Sequence, residues 1–154
     1  MLKRILFCGD FSESSEEAFK YALYLAKTCH SKLLIFHAKR NLVYPEQFIY
    51  YLSPNKQEEF NVSQTEEISQ KLRIHYLQKM DEFRDYEIVL SEGTAFREII
   101  SAAKKESVDV IVIGTRRKKG LVDVIFGSTS EKVVKTSTCP VLIVKPLGER
   151  FTAS

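Results

Sequence analysis

The chain has 154 residues, 44% apolar and 28% charged. That is enough for one domain with a sizeable core and too apolar for a disordered chain. The net charge of +3 is the small difference between 23 basic and 20 acidic residues. It excludes a chain-wide attraction to nucleic acid or membrane and leaves only the local run RRKK, residues 116–119, to supply one.

The three cysteines, Cys8, Cys29 and Cys139, stand far apart without a C-x-x-C pair, which argues against a metal or redox pairing. The first residues turn polar after one short apolar run, unlike a secretory signal. No apolar run approaches the roughly 20 residues that span a bilayer. A protein of the reducing cytoplasm is expected.

Residues 4–9, RILFCG, read as a buried strand. Ala18, Phe19, Ala22, Leu23 and Ala26 then recur at helical spacing, a first amphipathic helix. Asp10, Ser12 and Ser14 are candidate N-caps, and Ser14 with Glu17 fits a capping box. KLLIFHA, 32–38, is a second strand. Residues 39–55 carry two prolines and several aromatics, including Tyr44, Phe48, Tyr50 and Tyr51. They predict a long connection of the kind that is mobile, functional or an interface.

Ile68, Leu72, Tyr76, Met80 and Phe83 mark one face of a long second helix. YEIVLS, 86–91, is a third strand, and Gly93 is its turn. Phe96, Ile99, Ile100 and Ala103 mark a third helix; VDVIVIG, 108–114, is a fourth strand. Ser128 and Glu131 form a capping box for a fourth helix. CPVLIVKP, 139–146, is a fifth strand bounded by Pro140 and Pro146.

Strands apolar on both faces that alternate with helices imply an α/β fold: one open five-stranded parallel sheet with helices on both faces. One domain is expected across 1–154. Such sheets bind ligands beyond the carboxyl ends of their strands. Four segments lie there: Gly9-Asp10, His37-Ala38, Gly93, and Gly114 onward. The last runs through Gly120 to Gly127 and Ser128 at a helix start, which is a ready anion site. It is not a Walker loop, because no Lys-Ser/Thr pair follows the second glycine. His37 reads as a half-buried residue at a strand end, with no His or Cys near in sequence to suggest a metal.

GDFSESSEEAFKYALYLA near the start and VDVIVIGTRRKKGLVDVIFGSTSEKVVKTSTCPVLIVKP near the end resemble the universal stress protein family, in order over nearly the whole chain. The resemblance implies an adenine-nucleotide hydrolase-like sandwich and a homodimer. Some family members bind ATP and others do not. The binders carry Gly, two residues, Gly, nine residues, then Gly followed by Ser or Thr. Gly114, Gly127 and Ser128 match; the middle position is Arg117. A guanidinium there both crowds the backbone approach and offers a charged fork to phosphate, and these effects oppose each other.

By the resemblance, Asp10 falls at the adenine end, where Ala38 supplies a backbone contact, and Gly9 beside it is a nucleotide-binding position. Gly114 falls at the ribose, and Gly127, Ser128 and Thr129 fall at the phosphates; Arg117 and Gly120 lie between them. The implied cofactor is ATP, with or without Mg²⁺. No general base stands near the γ-phosphate, so at most slow ATP hydrolysis is expected.

Two functions stay open: a nucleotide-responsive stress protein, or a dimeric stress protein that binds no nucleotide and acts through protein contacts. The RRKK run reads as a solvated loop rather than a nucleic-acid patch, since no aromatic surface is interleaved with it. The fifth strand is expected at a sheet edge. By the resemblance, Val141, Leu142, Ile143 and Val144 pair there across a two-fold axis.

Overall fold

The structure, a computed structural model, describes residues 1–39, 54–115 and 127–145. Strand β1 (Arg4–Cys8) leads to helix α1 (Glu13–Cys29) and strand β2 (Lys32–Lys39). Helix α2 (Pro54–His75) and a 3₁₀ turn (Leu77–Lys79) precede β3 (Tyr86–Glu92), α3 (Ala95–Lys105) and β4 (Val110–Gly114). Helix α4 (Ser128–Thr136) and strand β5 (Val141–Val144) complete the fold. All four strand pairings are parallel, in the order β3-β2-β1-β4-β5.

Alternation along the central strands divides the core. Ile5, Phe7, Leu33 and Ile35 face α1 and the end of α2, while Leu6, Cys8, Leu34 and Phe36 face α3 and α4. The chain builds β1-β2-β3 in one direction and then crosses to β4 and β5 on the other side. Strand order therefore reverses between β1 and β4, and a crevice opens above their carboxyl ends.

Several local expectations are corrected. The N-cap of α1 is Ser12, whose Oγ accepts from Ser15 N at 3.2 Å. Ser14 is already inside the helix, so the Ser14–Glu17 capping box does not form. Asp10 instead caps the turn, accepting from Ser12 N at 3.0 Å. Pro54 and Asn55 open α2 rather than closing a loop, because proline tolerates the first helical turn. The remainder of the 39–55 connection, from residue 40, lies outside the described residues.

Helix α2 also ends at His75, so Tyr76, Met80 and Phe83 do not continue its face. They reach the same core from the 3₁₀ turn and the chain beyond it. At α4 the capping residue is Gly127, and Ser128 is the first helical residue; the Ser128–Glu131 box is absent. Ser130 Oγ donates to the Gly127 carbonyl at 3.0 Å instead.

Strand β3 departs from the two-sided apolar pattern. It is an edge strand, with Ile88 39% and Leu90 45% exposed. Strand β5 forms the opposite edge, as anticipated. Strand β4 begins two residues late because Asp109 turns its carboxylate onto β1, accepting from Lys3 N at 2.6 Å and Arg4 N at 2.8 Å.

Candidate functional site

A cleft of about 550 Å³ lies at the strand-order reversal. Gly9, Asp10, Ala38, Gly114, Gly127, Ser128 and Thr129 all line it. Two more anticipated positions, Arg117 and Gly120, lie outside the described residues. Sequence reasoning missed a whole wall: Gln64, Glu67, Ile68 and Lys71 of α2. Ala95 and Ile99 of α3 also reach the cleft, as do Phe11 and Lys39. Gly93 is absent from the lining; its φ of +144° makes the turn that glycine favours.

Two glycines have packing reasons to lack a side chain. A Cβ on Gly114 would stand 2.5 Å from the Ser14 carbonyl oxygen, so β4 ends pressed against the first turn of α1. A Cβ on Gly9 would meet the Tyr76 hydroxyl at 2.7 Å and its ring at 2.8 Å.

The rim beside β1 is built on Tyr76, which is fully buried. Phe11 N donates to Tyr76 Oη at 2.9 Å. The Ser15 hydroxyl donates to the Ser12 carbonyl at 2.9 Å, so its single proton is used there and Tyr76 Oη donates to Ser15 Oγ at 2.7 Å. This relay holds Phe11 at φ +64°, a left-handed conformation uncommon for a bulky residue. Burial pushes the Tyr76 phenol up to about 12, so it stays neutral.

Across the Phe11 ring, at 4.4 Å between centroids, lies His37. Its Nδ1 meets the Gly9 carbonyl at 2.8 Å. Burial lowers its pKa; the Gly9 carbonyl and Asp10 pull the other way, and Lys71 adds to the lowering. Below this rim, Glu16 of α1 accepts from Lys79 at 2.6 Å and from His75 Nδ1, fastening the end of α2.

The opposite wall is the start of α4. The amide groups of its first turn and its positive dipole end face the cleft, with the Ser128 and Thr129 hydroxyls beside them. The lining carboxylates, Asp10 and Glu67, belong to the other end, and Glu67 is paired with Lys71 at 2.6 Å. The cleft thus runs from an anion-attracting helix start at α4 to a mixed rim, where Asp10, His37 and the Glu67–Lys71 pair stand and Lys39 also lines the cleft. Glu131 of the first turn of α4 is not among the residues that line the cleft, and among the described residues no group of three His, Cys, Asp or Glu forms a metal site.

This is a doubly wound α/β domain with a ligand-sized cleft at its switch point. The model of the universal stress protein family matches residues 1–145, and the chain belongs to that family. The universal stress protein YxiE of Bacillus subtilis is 32% identical over 94% of this chain and 100% of its own length. The universal stress protein MJ0577 of Methanocaldococcus jannaschii is 30% identical over 94% of this chain and 96% of its own. Its solved structure superposes with a TM-score of 0.77 at 27% identity, covering 96% of this chain and 99% of that one. The fold is shared with an Archaeoglobus fulgidus universal stress protein solved in complex with dAMP, with TM-score 0.62, 18% identity and coverage of 94% and 98%.

Proposed function

We propose that the protein is a nucleotide-responsive stress protein that holds an adenine nucleotide, ATP in the first instance, in the cleft above β1 and β4. One observation carries this reading: the Gly127–Thr129 helix start and the Asp10–Ala38 rim, more than 80 residues apart in sequence, face one cleft. The anion-attracting end suits phosphates, and the rim of Asp10, His37 and Ala38 offers polar groups to a base. The dAMP held by the Archaeoglobus protein of the same fold supports it. Any Mg²⁺ would arrive on the phosphates and be held by them, with the Ser128 and Thr129 hydroxyls nearest. It would neutralise phosphate charge there. The ligand acts as a regulator, at most slowly hydrolysed.

The same reading includes a cytoplasmic homodimer joined along β5. Pro140 and Val144 turn their carbonyls toward β4, accepting from Ile111 N and Thr115 N at 3.0 Å each. By strand alternation Val141 and Ile143 point their backbone groups to the open edge.

A second reading, a dimer that binds no nucleotide and acts on protein partners, is favoured by Arg117 in place of the signature glycine. Calorimetry with ATP and Mg²⁺ on nucleotide-stripped protein, beside Arg117→Gly, separates the two. Micromolar binding by the natural chain supports the nucleotide reading. Binding only by the variant means that Arg117 closes the site. Binding by neither leaves the partner-binding reading in place.

A further inference from the structure

His37 is pinned on one edge and one face. The Gly9 carbonyl can only accept, so the 2.8 Å contact fixes the proton on Nδ1. In the neutral ring Nε2 then carries a lone pair and is an acceptor. The Phe11 ring, itself held by Tyr76, lies against the imidazole and prevents it from swinging. Among the described residues nothing bonds Nε2, and His37 lines the cleft.

The surroundings say what this acceptor meets. Phosphates are drawn to the α4 end, so a nucleotide enters with its base toward Asp10, His37 and Phe11. At this end a carboxylate and an imidazole lone pair stand on neighbouring strand ends, the turn after β1 and the end of β2. Asp10 already accepts from Ser12 N and Oγ, whereas the imidazole lone pair still wants a proton donor. An exocyclic amino group supplies one, whereas a ring carbonyl at the same place would set acceptor against acceptor.

We propose that Nε2 of His37 accepts a hydrogen bond from the amino group of the bound base, so that His37 is the residue that selects an aminopurine over a ketopurine. This rests on the nucleotide reading above. His37 acts as a specificity contact and performs no chemistry. The charged groups facing it are Asp10 from the turn after β1 and Lys71 from α2. His75 and Tyr76 lie across the Phe11 ring.

The test is calorimetric binding of ATP and of ITP, which differ at the purine C6 group, to the full chain and to His37→Asn and His37→Gln. Asparagine keeps a donor for Gly9 and offers nothing at the Nε2 position; glutamine can place an acceptor there. The natural chain is expected to prefer ATP by roughly tenfold, the asparagine variant by about twofold or less, and glutamine to restore part of the preference. As the pH falls through the lowered pKa of His37, Nε2 gains a proton and becomes a donor, so the preference should fall in the natural chain and stay flat in His37→Asn. The ratio of the two affinities cancels the titration of the phosphates.

Should His37→Asn fail to fold, as thermal unfolding would show, the glutamine variant and the pH profile of the natural chain carry the test. Equal binding of ATP and ITP by the natural chain, or an undiminished preference in His37→Asn, overturns the role of His37 and leaves the nucleotide reading standing. Binding of neither overturns both.

Discussion

Tyr76 Oη accepts the amide proton of Phe11 across 65 residues of sequence, at 2.9 Å. The bond joins the chain just beyond α2 to the turn after β1, and it stabilises a left-handed Phe11 that local energetics disfavour. Tyr76→Phe keeps the ring and removes the hydroxyl. It is expected to cost about 1–2 kcal/mol in urea unfolding. Exchange of the Phe11 amide should quicken more than that of the central strands. Unchanged exchange at Phe11 would show that the turn holds itself.

Gly114→Ala places a methyl 2.5 Å from the Ser14 carbonyl oxygen, a backbone atom that cannot step aside alone. A loss of roughly 1–3 kcal/mol of stability is expected. The practical point concerns ligand studies. Loss of nucleotide in this variant reports displaced α1 as readily as a lost contact, so melting curves should accompany any titration.

Glu16 has its pKa lowered, chiefly by the hydrogen bond from Lys79 and then by that from His75. Its carboxylate therefore stabilises the fold in full above the ordinary value of 4.5. That contribution disappears as pH falls through the lower folded value. Glu16→Gln should flatten the acid limb of stability against pH, measured by urea midpoints. An identical acid limb in the variant would assign the loss to other carboxylates.

Light scattering at micromolar concentration should find twice the chain mass if β5 pairs with a second copy. Leu142→Glu should shift the distribution toward the single chain. Leu142 also rests against the core beneath α1, so its variant must be compared at a temperature where both proteins remain folded. A single-chain mass for the natural protein would remove the edge-pairing proposal.

The strands and the sheet were legible because their apolar runs are short, dense and bounded by Gly, Pro or Asp. The cleft followed from them, since topology alone puts Gly9, Ala38, Gly114 and Gly127 at one edge. The caps were less legible, because tertiary contacts place them. Ser12 rather than Ser14 caps α1 once Tyr76 has set the Phe11 turn. The break at His75 left no local trace, since Tyr76 and Met80 remain core residues on either side of the 3₁₀ turn. The α2 wall was invisible for a related reason. Gln64, Glu67 and Lys71 belong to a polar stretch whose side chains reach the cleft instead of the core, and no hydrophobic period announces them.

The strand order β3-β2-β1-β4-β5 has a consequence for how the chain is made. Of these five strands, the first to leave the ribosome ends in the middle of the sheet, and β2 and β3 can dock on one of its flanks as they emerge. Its other flank must wait for Ile5 through Cys8 to meet Val110 through Ile113, about a hundred residues later. Until β4 emerges, a nascent chain is thus half a sheet with an open apolar edge. A fragment stopped after Lys105 should sediment as aggregate where the full chain does not. A well-dispersed fragment would mean that α1 and α3 shield β1 before its partner arrives.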